Sequence, residues 1–117
     1  MEHGHFCCRK TYQTPYPDSI LFREGEQVDV GEEYDQDPTW NGWIRCRGSE
    51  NQEAWIPYQY LQIEDSLGVL LRDYDARELT LMVDEIVLVK EVVNGFGVAE
   101  NHIGEIGWVP MNHLEAI

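Results

Sequence analysis

Ala54-Trp55-Ile56-Pro57-Tyr58-Gln59-Tyr60-Leu61 is answered, 53 residues later, by Gly107-Trp108-Val109-Pro110-Met111-Asn112-His113-Leu114. Each version carries a small residue, a tryptophan, a β-branched aliphatic, a proline and a closing leucine. The phrase ends a strand: proline has no N–H to give to a ladder, so a strand that meets one stops pairing there or lies at an edge.

Working outward, Trp43-Ile44-Arg45-Cys46 and Phe96-Gly97-Val98-Ala99 keep the same offset of 53. Upstream, Ile20-Leu21-Phe22 matches Leu79-Thr80-Leu81, and Gly25-Glu26 matches Asp84-Glu85, with the offset now 59. The change falls in one place, a polar stretch over 34–42 that is longer than its counterpart near Val93-Asn94-Gly95. Insertions belong in surface loops, so the chain is a duplication. Val28 and Val30 alternate with polar neighbours, Ile86-Val87-Leu88-Val89 is rich in β-branched residues, and helical periodicity is almost absent. The pattern predicts an all-β protein. The repeat places one unit at 6–64 and a second at 67–117. Glu64-Asp65-Ser66-Leu67-Gly68 between them reaches at most about 17 Å. Units this small bury only a marginal core, so the expectation is two barrels packed together.

Each half resembles the Src-homology-3 fold over nearly its whole length. The second reads Leu70-Leu71-Arg72-Asp73-Tyr74, Glu78-Leu79-Thr80-Leu81, Asp84-Glu85, Phe96 with Ala99, and the closing phrase at Gly107. The first reads Cys8-Arg9-Lys10-Thr11-Tyr12, Ile20-Leu21-Phe22, Gly25-Glu26, Trp43 with Cys46, and the closing phrase at Ala54. The wording is closer to variant bacterial domains of this type than to eukaryotic signalling modules. The resemblance implies two tandem five-stranded β-barrels, each with an aromatic-lined groove for an extended proline-rich segment, whose polyproline shape is cheap to fix.

Carried over position by position, the resemblance assigns Tyr12, Trp43, Pro57 and Tyr60 to the groove of the first unit. Tyr16, Asp35, Asp37 and Trp40 lie in the flanking loops and extend it. Lys10 stands where the family has its first tyrosine. In the second unit Tyr74, Pro110 and Asn112 match, whereas Arg72, Phe96 and His113 replace family aromatics. The first groove is expected to be the working one. Cys8 and Cys46 fall at small core positions, and inward placement near Ile20, Val28, Val30 and Ile56 is expected.

Composition narrows the function. The formal net charge is −14 and both halves are acidic. Such a surface repels phosphate backbones and anionic lipid and attracts a basic partner. The expected partners are therefore proteins or peptides, basic or proline-containing, with no nucleic acid and no membrane. No apolar run spans a bilayer and no secretory signal is read at the N-terminus. With three cysteines that make no disulfide framework, a cytoplasmic location follows. His3, His5, Cys7 and Cys8 are zinc-ligand types, but adjacent cysteines point to opposite faces of a strand, so no metal or cofactor is expected. The carboxylates lack calcium-loop spacing and a nucleophile–base set, so no enzyme is expected. The sequence thus points to a non-catalytic interaction module. Two alternatives are a structural or assembly protein with vestigial grooves and, against the missing export signal, a binder of cell-wall peptide.

Overall fold

A computed structural model describes residues 4–117. The chain is all-β. The strands are β1 (Gly4–Cys8), β2 (Leu21–Phe22), β3 (Gln27–Glu33), β4 (Trp43–Arg47), β5 (Glu53–Pro57), β6 (Leu61–Glu64), β7 (Leu67–Leu70), β8 (Tyr74–Asp75), β9 (Ile86–Val93), β10 (Phe96–Glu100), β11 (Ile106–Pro110) and β12 (Leu114–Ala116). Among the described residues, helix is limited to single 3₁₀ turns at Pro38–Trp40, Tyr58–Tyr60 and Met111–His113. Among the described residues no helix is long and apolar enough to cross a membrane.

Two compact units form, but not at the expected boundaries of 6–64 and 67–117. One is continuous, Ser19–Ala76. The other is split: it takes the chain up to Asp18 together with Arg77–Ile117. The continuous unit is thus inserted in the sequence of the split one. Its sheet has the order β5-β4-β3-β7-β6, and that of the split unit β11-β10-β9-β1-β12. The two orders are the same if β7 takes the place of β1. The first strand of each half has been exchanged. β1 lies between β9 and β12, and β7 between β3 and β6. Glu64–Leu67, expected to join two domains, is a hairpin turn inside one, with Asp65 at φ 57°.

Turn chemistry shapes both sheets in the same way. Gly25 and Asp84 hold matching left-handed positions, with φ 84° and 75°. One turn is stapled by Glu26 Oε1, which accepts from Arg23 N at 3.1 Å, and the other by Glu85 Oε1, which accepts from Met82 N at 3.1 Å. Asn94-Gly95, with φ 50° and 85°, makes the two-residue turn that joins β9 to β10, a backbone twist that suits a right-twisted hairpin. The first half spends its extra loop residues on the 3₁₀ turn after β3, which Asp37 caps by accepting from Thr39 N at 3.0 Å.

Each unit has its own core. In the split unit Cys8, Leu79, Leu81, Val87, Val89, Ala99 and Val109 are buried together, with Phe6, Tyr12, Met111 and Leu114 against them. In the continuous unit Phe22, Val28, Ile44, Cys46, Ala54, Ile56, Leu61 and Leu70 are buried. Cys46 sits where expected. Cys8 is equally buried, but in the other core from Val28 and Ile56, because β1 has left its own half.

Candidate functional site

Strand exchange re-sorts the residues expected to make one groove. Tyr12 and Tyr16 belong to the split unit, whereas Asp35, Asp37, Trp40, Trp43, Pro57 and Tyr60 belong to the continuous one. Two hybrid sites result, each combining one half's opening segment with the other half's closing phrase.

In the split unit the N-terminal arm runs antiparallel to the segment after Arg77. Tyr12 N donates to Leu81 O and Leu81 N to Tyr12 O, each at 2.9 Å. Tyr12 is half-buried. Its ring meets His113 edge-on at 5.3 Å between centroids, and Phe96 at 6.5 Å. His113 Nδ1 lies 3.0 Å from Lys10 O. A carbonyl only accepts, so that nitrogen carries the proton. Lys10 therefore contributes backbone to this wall.

At the foot of the wall stands Glu78, a residue that the groove assignment missed. Its Oε1 accepts from the Tyr12 hydroxyl and the Thr14 hydroxyl, both at 2.6 Å. Thr14, a buried polar side chain, also receives Tyr16 N on its Oγ1 at 2.9 Å. Both side-chain donors converge on one carboxylate oxygen. Desolvation by burial raises the Glu78 carboxyl above its usual range against the pull of these hydrogen bonds, and the Tyr12 phenol is pushed strongly upward by burial and by this carboxylate. Only position could have flagged Glu78: an acid directly before the apolar Leu79-Thr80-Leu81 run.

The corresponding site in the continuous unit is filled. Trp43, Tyr60 and Tyr74 are 6%, 5% and 5% exposed, and Pro57 is fully buried. Trp43 was expected to offer a partly open wall, and instead it is packed like core. Tyr60 and Tyr74 meet edge-on at 5.7 Å, and Tyr74 donates its hydroxyl to Trp55 O at 2.7 Å. The Arg72 guanidinium carbon stands 4.4 Å from the centre of the Tyr60 ring, a stacking distance for a cation on an aromatic face. Arg72 thus covers one face of the Tyr60 ring.

Trp40 packs nearby rather than projecting from its loop. Tyr34 lies between it and Trp55, with ring centroids at 6.3 Å and 5.3 Å. Asp37 serves its 3₁₀ turn and is held below its usual range by its bonds to Thr39, while Asp35 is exposed. Of the four residues of zinc-ligand type near the N-terminus, His3 lies outside the described residues. Among those described, no group of three or more His, Cys, Asp or Glu side chains is arranged to hold a metal ion.

No protein family's profile matches the chain, and no solved structure matches it. Among curated proteins, protein nervous wreck of Drosophila melanogaster is 35% identical over 54 residues, covering 46% of this chain. The chain corresponds to about 5% of that protein's length. The similarity is therefore one between a segment of this chain and a small part of a much longer protein.

Proposed function

We propose that this chain is a non-catalytic, Src-homology-3-like protein-interaction module that binds an extended basic segment of another protein, working in the cytoplasm. The groove that serves this reading is the hybrid one of the split unit, not the Trp43 site. One observation carries it. Glu78 holds a half-buried carboxylate beside the half-buried rings of Tyr12 and His113, with Phe96 buried behind Tyr12, and its side-chain donors meet only Oε1 among the described residues. A carboxylate poised beside aromatic faces suits a lysine or arginine side chain whose stem lies on the rings. The acidic surface steers such a ligand in.

Titration with basic, proline-containing peptides, followed by amide chemical shifts, tests this reading. The expected shifts centre on Tyr12, Tyr16, Glu78 and His113. Shifts centred on Trp43 and Tyr60 place the site in the wrong unit. If none shift at millimolar peptide, the reading fails. The burial of Trp43, Tyr60 and Tyr74 favours a second reading, a structural or assembly role for the continuous unit, in which its aromatics serve packing.

A further inference from the structure

The backbone alone gives β1 and β7 no reason to choose different sheets. Cys8 N donates to Glu85 O at 2.8 Å, and Leu70 N to Glu26 O at 3.0 Å. Asp84 N donates to Cys8 O, and Gly25 N to Leu70 O, both at 2.8 Å. Arg9 N donates to His113 O, and Leu71 N to Tyr60 O, again both at 2.8 Å. Every one of these bonds has its counterpart in the other unit. A linear arrangement, with each half keeping its own first strand, could make the same set.

The side chains are not interchangeable. Phe6 pairs with Val87 and Ala116, and Gly68 pairs with Val28 and Ile63. These are equivalent places. Yet a Cβ at Gly68 would lie 3.0 Å from Val30 Cγ2 and 3.4 Å from Val28 Cγ2. Valine is stiff at χ1, so a slot that barely admits a methyl group excludes a phenyl ring. In the split unit the same place is filled by Phe6, packed on the core. Two residues along, on the same strand face, Cys8 and Leu70 are equivalent, and both are buried, at 0% and 1% exposure. Cys8 lies among Leu79, Val87 and Val109, where leucine would overpack; cysteine in the place of Leu70 would leave a void.

We propose that the strand exchange is a size-coded choice, made by the pairs Phe6/Gly68 and Cys8/Leu70, which admit β1 only to the split unit and β7 only to the continuous one. The competing explanation is tethering: β7 follows β6 after a short turn, and closing so short a loop costs little entropy.

Interchanging the residues separates the two. In full-length Phe6→Gly/Cys8→Leu/Gly68→Phe/Leu70→Cys, cross-strand nuclear Overhauser contacts of residue 6 are expected to move from Val87 and Ala116 to Val28 and Ile63. Those of residue 8 are expected to move from Leu114 to Leu61. Contacts that stay at Val87 and Leu114 overturn the proposal in favour of the tether. Should the interchanged chain not fold, Phe6→Gly/Cys8→Leu decides. It fits β1 to the other slot and leaves β7 intact, and it should shift the ratio of linear to exchanged pairing by about a hundredfold, seen as a second set of β1 and β7 amide signals. A single set with unchanged contacts overturns the proposal.

Discussion

Cys8 stands directly opposite Leu114 in the β1–β12 ladder, and the same relationship recurs between Leu70 and Leu61. The first pair joins residues near the two ends of the chain; the second closes a local hairpin. One geometric relation is met twice, at very different cost in loop closure, and the two units should therefore respond differently to truncation.

Deleting residues 1–18 removes β1 from the middle of the split unit's sheet. Amide signals of 86–116 are expected to lose their dispersion, while those of 20–76 keep theirs, because every strand of the continuous unit lies within Ser19–Ala76. Had the domains followed the repeat at 6–64, the same deletion would damage the first half instead. A heteronuclear correlation spectrum distinguishes the outcomes.

Glu78 makes stability depend on pH. Desolvation raises its folded-state pKa above the unfolded value, so its contribution is fully present below the unfolded pKa and is lost as pH rises through the folded one. Glu78→Gln should remove that fall. Melting temperatures of wild type and variant should diverge on acidification from neutral pH, with the wild type gaining relative to the variant. A constant difference between them refutes the assignment.

Thiol reactivity should rank by burial. Burial pushes Cys46 up to about 11 and also raises Cys8, so little thiolate exists at mild pH. Cys7 is half-buried, the other two are buried. Under iodoacetamide at pH 8 the native protein should be labelled first at Cys7, and at Cys8 and Cys46 only when denatured, as read by peptide mass spectrometry.

Gly107 lies where the segment after Arg77 meets β11. A Cβ there would come within 3.0 Å of Arg77 O and of Leu79 Cγ. The carbonyl belongs to the backbone that pairs with β11 through Trp108 N to Arg77 O at 2.9 Å and Leu79 N to Trp108 O at 3.1 Å. Gly107→Ala should cost about 1–3 kcal/mol, measured by urea unfolding, and should weaken hydrogen-exchange protection at Leu79 and Trp108.

Much of this fold is legible in the residues. The matched phrases at Ala54 and Gly107 do end strands followed by 3₁₀ turns, and the alternation around Val28 and Val87 is inward–outward. Partner choice is not legible in the same way. A strand's local pattern states which face is buried, whereas Phe6 and Gly68 declare their sheet only through the neighbours they meet. The candidate site inherits that difficulty. The resemblance assigned Tyr12 and Trp43 to one groove, but the residues that meet Tyr12, namely Phe96, His113 and Glu78, come from the other half, and Trp43 is buried.

The exchange also sets an order of events during synthesis. β1 is made before the other described strands, yet its neighbours β9 and β12 follow only after the whole continuous unit. The continuous unit is complete once Ala76 has emerged. Between the making of Glu64 and Leu70 the slot beside β3 and β6 stands empty while β1 is already present, and at about 5–20 residues per second that interval is about a second or less. The crowding around Gly68 then guards a nascent chain against its own earliest strand.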